Sequence, residues 1–129
     1  MSRLAKEYRD LQKEAASAPD PDIVLIPEEG NMARWQGRIK GPSETPFAGG
    51  YYQLKVVVPS SYPLVPPSIR FVTKIFHPNV HPKTGEICLD ILKTAWSPAW
   101  TLQSTCRAIM VLLSHPEPES PLNCDAGNL

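Results

Sequence analysis

The residues that could carry covalent chemistry are grouped around one cysteine in the second half of the chain. Cys88 lies in the segment 85–90, between a glycine and an aspartate, and Asn79 precedes it by nine positions. A cysteine attacks as its thiolate, so a nucleophilic cysteine has to be partly exposed. The commoner place of a free cysteine is the protein core. The residues around Cys88 alone therefore leave a catalytic and a structural role open.

A cysteine protease would need the same residue types in one cleft. The chain has them at Cys88, Asn79, His77, His81 and His115. It has none of the local signatures of the cysteine protease families, and its 129 residues leave little room for a second lobe beside a cleft. We therefore do not expect a protease.

A zinc site is the other chemistry that the histidines suggest. His77 and His81 are four positions apart, which on a helix is the spacing of a metal-binding pair. Pro78 and Pro82 make a helix there unfavourable, so the spacing loses its meaning. The chain also has no Cys-x-x-Cys pair. We expect no metal.

The sequence around Cys88 predicts helices and strands that together form one α+β domain spanning residues 1–129. Residues 2–17 have apolar side chains at helical spacing and predict an amphipathic helix. Four short strand-like segments are joined by turn residues and predict an antiparallel meander: the apolar run 23–26, the alternating segment 33–39, and 51–58 and 69–72, which are rich in β-branched and aromatic residues. Residues 74–100 have no regular period, which is typical of a functional segment. Thr101 then begins a second helix, which His115-Pro116 ends.

Charge is balanced overall but uneven along the chain. The 13 Lys and Arg residues match the 13 Asp and Glu residues, which argues against a nucleic-acid or anionic-membrane binder. Residues 31–107 carry nine basic and three acidic side chains, and both flanks are acidic. A basic middle could meet an acidic partner. Because surface ion pairs are weak, we favour an ordinary solvated surface whose charges intermix in the fold.

The cellular setting follows from what the chain lacks. No apolar run approaches the ~18 residues that cross a bilayer, and the N-terminus is charged from Arg3 onward, so we expect neither membrane insertion nor a secretory signal. The three cysteines are an odd number without a Cys-x-x-Cys motif. They predict free thiols in a reducing compartment.

Several segments taken together resemble the ubiquitin-conjugating enzyme family. They are His77-Pro78-Asn79, the run 87–92 around Cys88, Trp96-Ser97-Pro98-Ala99, and upstream Gly41-Pro42, 45–50 and 62–67. Their order and spacing match that family over essentially all 129 residues. Within the family, residues 74–81 and 121–128 look closest to the peroxisomal ubiquitin-conjugating enzymes.

The resemblance implies an activity. Cys88 would accept ubiquitin from an activating enzyme as a thioester, and a RING-type ligase would help to pass it to a substrate lysine or other acceptor, in peroxisomal receptor recycling. The upstream activating enzyme would use the ATP, so the chain itself would need no cofactor. The enzyme would be cytoplasmic and docked on the cytosolic face of the peroxisome by a membrane docking protein. The family usually continues for one or two helices beyond Leu129, so the alternative is a catalytically impaired interaction module with the same fold.

The resemblance also implies roles for residues near Cys88. The Asn79 amide would donate to the developing oxyanion or brace its loop, and Asp90 would orient the incoming lysine. The residues implied to support the site are His77, Pro78, Ser120 and Leu122. Ser120 stands where many members have an aspartate at the cleft, and the loop 81–85 is slightly longer than in the shortest members of the family.

The resemblance also implies a surface for binding partner proteins. The family's ligase and activating-enzyme face corresponds here to Arg3, Lys6, Leu64, Pro98 and Ala99. Leu64 could instead pack in the core. Prolines on both sides favour a loop tip and hence the interface.

Overall fold

The computed structural model describes residues 2–18 and 22–117. Over these ranges the chain forms two α-helices and one sheet: α1 (Arg3–Ser17), β1 (Ile23–Glu28), β2 (Asn31–Lys40), β3 (Tyr51–Val57), β4 (Ser68–Phe71) and α2 (Leu102–Ser114). The sheet order is β1-β2-β3-β4, and each neighbouring pair is antiparallel. The predicted α+β class and the four-stranded meander are therefore confirmed.

Alternation along the strands decides which face is buried. In β2 the side chains of Trp35 and Ile39 point inward, as do those of Leu54 and Val56 in β3. Helix α2 covers this face with a stripe of buried residues: Leu102, Cys106, Ile109, Leu112 and Leu113. Burying each large apolar side chain stabilises the fold by about 1.5–3 kcal/mol. The sheet and α2 therefore form the scaffold that carries the irregular segment.

The outward face of the sheet collects much of the basic middle segment. The basic side chains at outward strand positions are Arg34, Arg38, Lys40, Lys55 and Arg70. Strand periodicity places residues two apart on the same face, so basic residues at even spacing gather rather than intermix. These basic side chains share one face, and the acidic Glu86 forms a backbone bridge with Arg70 at its edge, so the expectation of an ordinary solvated surface stays a prediction.

The helix boundaries follow from local capping. Ser2 caps α1 by accepting a hydrogen bond from the Ala5 N–H at 3.1 Å. Thr101 and Ser104 form a reciprocal capping box at the start of α2, which satisfies two backbone donors. Helix α2 ends at Ser114, immediately before the predicted stop. None of the helices in the described ranges is long and apolar enough to cross a membrane.

Candidate active site

Cys88 lies in a short hairpin, residues 79–88, within the irregular segment between β4 and α2. The Cys88 N–H donates to the Asn79 carbonyl at 2.7 Å, and Val80 bridges Ile87 in the antiparallel sense. The His81 N–H donates to the Glu86 carbonyl at 2.8 Å. The backbones of Cys88 and Asn79, nine residues apart, are therefore direct neighbours.

Gly85 makes this hairpin possible. Its φ is +78°, a conformation that L side chains rarely adopt, and a Cβ at this position would lie 2.0 Å from the Phe71 carbonyl oxygen. The Phe71 N–H donates to the Gly85 carbonyl at 2.9 Å, which attaches the hairpin to the end of β4. Any side chain at Gly85 would therefore displace the hairpin and Cys88 with it.

The Asn79 side chain is fully buried and points toward the segment that follows α2. Its Nδ2 donates to the Glu117 carbonyl at 2.9 Å, and its Oδ1 accepts from the Glu117 N–H at 3.1 Å. Both ends of the amide are thus engaged by the backbone of one residue, Glu117. Of the two roles left open for Asn79, this geometry favours the brace, and the oxyanion role stays a prediction.

His77 connects the hairpin to α2. Its Nε2 donates to the Leu112 carbonyl at 2.9 Å, and its Nδ1 accepts from the Asn79 N–H at 3.0 Å. This pairing requires the neutral ring with the proton on Nε2. Burial lowers the pKa of His77 from its ordinary value of 6.5. The ring is therefore suited to an architectural role, beside the exposed Pro78.

The sulfur of Cys88 differs from what the sequence predicted. Cys88 is 2% exposed and is disulfide-bonded, whereas Cys106 is free and buried in α2. The prediction of free thiols is wrong for Cys88 in this state. Burial raises the pKa of the Cys106 thiol to about 12, so Cys106 is unreactive near neutral pH. Thiol chemistry at Cys88 requires that its disulfide be reduced first.

The other predicted residues near Cys88 fall in different places. Asp90 is exposed, and the 3₁₀ turn Asp90–Leu92 begins with it, two residues beyond Cys88. Its backbone carbonyl accepts from the N–H groups of Lys93 and Ala95, and its side chain is exposed to solvent. Ser120 and Leu122 lie outside the described residues.

The predicted partner surface is exposed in the structure. Leu64 is 76% exposed, so it does not pack in the core. Pro98 and Ala99 are exposed as well. Their loop lies next to the loop of Leu64, because Trp96 Nε1 donates to the Pro63 carbonyl at 2.9 Å. Lys6 is exposed on α1 and pairs loosely with Asp10 at 3.8 Å. Their role in partner binding stays a prediction.

Arg3 is engaged within the molecule rather than free for a partner. Its Nη1 donates to the Pro98 carbonyl at 2.8 Å, and its Nη2 donates to the Trp100 carbonyl at 2.7 Å. The guanidinium therefore fixes the loop that carries Pro98 against α1. Its part in the predicted interface is to hold that surface in place.

Sequence reasoning missed Glu7, which lies beneath this surface and is 7% exposed. Its Oε2 accepts from Arg3 Nε at 3.0 Å and from the Tyr62 hydroxyl at 2.5 Å, and its Oε1 accepts from the Leu102 N–H at 2.8 Å. We call these four residues the Glu7 junction. A signal existed, because Glu7 lies three residues after Leu4 and so falls on the apolar face of α1.

Comparison with known proteins decides the family. The family model for ubiquitin-conjugating enzymes matches residues 3–129. The chain belongs to the ubiquitin-conjugating enzyme family. Protein PEROXIN-4 of Arabidopsis thaliana is 66% identical over 128 residues, which are 99% of this chain and 80% of that protein. Ubiquitin-conjugating enzyme E2 pex4 of Dictyostelium discoideum is 59% identical, over 99% of this chain and 84% of that protein.

A solved structure supports the same assignment. The H. polymorpha ubiquitin-conjugating enzyme Pex4p, in complex with the soluble domain of Pex22p, is 45% identical and superposes with a TM-score of 0.87. The match covers 98% of this chain and 85% of that one. The resemblance to the peroxisomal ubiquitin-conjugating enzymes is confirmed. In the described residues, no group of three or more His, Cys, Asp or Glu side chains could hold a metal ion.

Proposed function

We propose that this ubiquitin-conjugating enzyme carries ubiquitin as a thioester on Cys88 and passes it, with a RING-type ligase, to a substrate lysine or other acceptor in peroxisomal receptor recycling. The observation that supports this most is the hairpin 79–88, which joins the backbones of Cys88 and Asn79 through a 2.7 Å hydrogen bond. His77 and Asn79 hold this hairpin to α2 and to the segment after it. Cys88 therefore has a defined place in the fold.

The proposed chemistry is two acyl transfers. The Cys88 thiolate attacks the thioester carbonyl that joins ubiquitin to the activating enzyme, and the activating enzyme's thiolate leaves. The neutral amine of the acceptor then attacks the Cys88 thioester, the Cys88 thiolate leaves, and the amine gives its proton to solvent. Asp90, which is exposed two residues beyond Cys88, orients that amine. ATP is used by the activating enzyme, so the chain needs no cofactor of its own.

The peroxisomal setting is supported by the relatives. Two of them are a peroxin-4 and a pex4 enzyme, and a third was solved with the soluble domain of Pex22p. We propose that this chain likewise binds a Pex22p-type docking protein and so acts from the cytoplasm at the peroxisomal surface. Size-exclusion chromatography of the chain with a Pex22p-type soluble domain tests this, and separate elution would contradict it.

The test of the thioester uses protein whose Cys88 disulfide has been reduced. After removal of the reductant, activating enzyme, ATP and ubiquitin are added, and the product is weighed by mass spectrometry. We expect one ubiquitin adduct that thiol reductant removes. Cys88→Ala should form none, whereas Cys106→Ala should still form it as a matched control. An adduct on Cys88→Ala would show that the assigned residue is wrong.

The interaction module is the second candidate. It is favoured by one observation, the burial and disulfide bonding of Cys88. It predicts that reduced protein binds a ligase but never acquires ubiquitin. The same charging experiment therefore separates the two functions.

A further inference from the structure

The loop 81–85 borders a groove that the proposed chemistry does not use. The groove lies between the segment 71–75, which continues β4, and the segment 80–85 of the hairpin, and it has a volume of ≈ 340 Å³. Phe71, Ile75 and Val80 are buried and give it an apolar floor. Lys74, His81 and Lys83 are its basic lining residues. We call it the basic groove.

The positive charges of this groove are not neutralised within the described residues. The ion pairs there include Arg3–Glu7, Lys6–Asp10 and Lys93–Glu86, and neither Lys74 nor Lys83 pairs with a carboxylate in the part of the chain that the structure describes. The Lys74 Nζ lies 5.4 Å from the centre of the Phe76 ring, and Phe76 is itself 76% exposed. The groove is therefore lined by two lysines without a carboxylate partner, beside an apolar floor.

His81 adds a donor of defined orientation. Its Nδ1 accepts from the Lys83 N–H at 3.0 Å and from the Thr84 N–H at 3.2 Å. Because Nδ1 is an acceptor in both bonds, the ring proton resides on Nε2. An apolar floor with ammonium and imidazole donors at its rim fits a carboxylate on a short aliphatic stem, which is the side chain of Asp or Glu.

The groove has a fixed relation to Cys88. The hairpin joins them, because Gly85 lines the groove and Cys88 follows it by three residues. At about 3.3 Å per extended residue, the two are about 10 Å apart along the strand. An extended substrate with its acceptor at Cys88 would thus reach the groove about three residues from that acceptor.

Charge around the hairpin is arranged in the same sense. Asp90 is exposed two residues beyond Cys88, and Glu86 pairs with Lys93 at 3.5 Å. The acidic side suits the cationic acceptor lysine, and the basic groove suits an anion. An acidic substrate residue about three positions from the acceptor therefore matches both the charge of the groove and its spacing from Cys88.

We propose that the basic groove is a specificity site that takes an Asp or Glu side chain about three residues from the acceptor lysine of a substrate. This inference rests on the proposed ubiquitin transfer. Two exposed charge contacts of this kind correspond to about a fivefold preference in rate.

The test measures discharge of the preformed thioester in a single turnover. Three peptides of equal length carry one lysine, with Glu three residues before it, Glu three residues after it, or Gln at both positions. At a peptide concentration far below saturation, we expect one Glu peptide to react about fivefold faster than the Gln peptide. The preference should shrink as salt is raised, because the contacts are exposed.

Variants assign the preference to the groove. In the double variant Lys74→Gln, Lys83→Gln the preference should fall to near unity, whereas Lys40→Gln on the outward sheet face should retain it. Charging by the activating enzyme and the thermal unfolding midpoint should be the same in all three proteins. Absence of charging in the parent protein would overturn the proposed function. Normal charging with equal rates for all peptides, or a preference that survives in the double variant, would overturn the specificity site alone.

Discussion

Two buried polar centres hold the two surfaces of this enzyme, and they are built from different chemistry. The Glu7 junction joins α1 to Tyr62 and to Leu102, 95 residues away, through a carboxylate and a guanidinium. Asn79 reaches Glu117, 38 residues away, and these contacts involve only a side-chain amide and the backbone N–H and carbonyl of one residue. The first centre lies under the predicted ligase surface and the second under Cys88.

The difference predicts how firmly each surface is held. Hydrogen bonds between neutral groups contribute about 1 kcal/mol each, whereas bonds to charged groups contribute about 1.5–3 kcal/mol. Removing one member of a buried charged network also leaves its partners unpaired. Disrupting the Glu7 junction under the predicted ligase surface should therefore lower the free energy of unfolding more than disrupting the Asn79 contacts under the Cys88 hairpin.

Glu7→Ala tests the stronger centre and should have the largest effect. It leaves the Arg3 guanidinium, the Tyr62 hydroxyl and the Leu102 N–H without their acceptor. Because Arg3 is partly exposed, we expect a loss near the lower end for buried pairs, about 3 kcal/mol in the free energy of unfolding. Urea denaturation measures it.

Asp10→Ala on the same helix is the matched control. Its carboxylate forms an exposed pair with Lys6 at 3.8 Å, so its loss should stay within about 0.5 kcal/mol. Equal losses for Glu7→Ala and Asp10→Ala would mean that the junction does not stabilise the fold beyond an ordinary surface pair.

Asn79→Ala tests the neutral centre. It removes both hydrogen bonds to Glu117, and we expect a loss of about 2 kcal/mol. If Asn79 acts as a brace, then Glu117→Pro, which removes the N–H that Oδ1 accepts, should slow discharge of the thioester to free lysine in the same way. Glu117→Ala keeps that N–H and is the control. Slow discharge in Asn79→Ala alone would instead support the oxyanion role.

The secondary structure was predictable because its causes are local. Neighbouring residues determine the alternating burial in β2 and β3. They also determine the helix caps at Ser2 and Thr101 and the end of α2 before His115-Pro116. The family was also predictable, because the segments that resemble it occur in the right order over most of the chain.

The contacts that hold the two surfaces were not predictable, because they join residues far apart in sequence. Nothing near Arg3 indicates that its guanidinium binds the Pro98 and Trp100 carbonyls. The direction of the Asn79 amide likewise depends on where the chain passes after α2. Of these residues, only Glu7 could have been singled out from the sequence, because it is an acid on the apolar face of a helix.

Alkaline pH should weaken the Glu7 junction through Tyr62. Burial, followed by the hydrogen bond to Glu7, raises the pKa of Tyr62 above its ordinary value of 10.0. Above pH 10 the unfolded chain loses this proton while the folded protein retains it, so stability falls as pH rises. At pH 11, one unit above the ordinary pKa, a fully buried phenol would have lost about 1.4 kcal/mol of stability in total, and solvent screening of the half-buried ring reduces this loss to about 0.7 kcal/mol. Urea denaturation at pH 9 to 11 should show a shallower decline for Tyr62→Phe than for the parent, and parallel declines would contradict the linkage.

Acid should weaken the other centre, with the smallest effect. Because burial lowers the pKa of His77, the unfolded chain binds a proton below pH 6.5 that the folded protein does not, and stability falls as pH falls. We expect about 0.5 kcal/mol between pH 6.5 and 5.5 beyond the decline of His77→Gln. His115→Gln, which removes an exposed imidazole just after α2, should keep the parent's pH dependence. If His77→Gln instead declines as steeply as the parent, the acid sensitivity comes from carboxylates elsewhere, and the two centres do not fail at opposite ends of the pH scale.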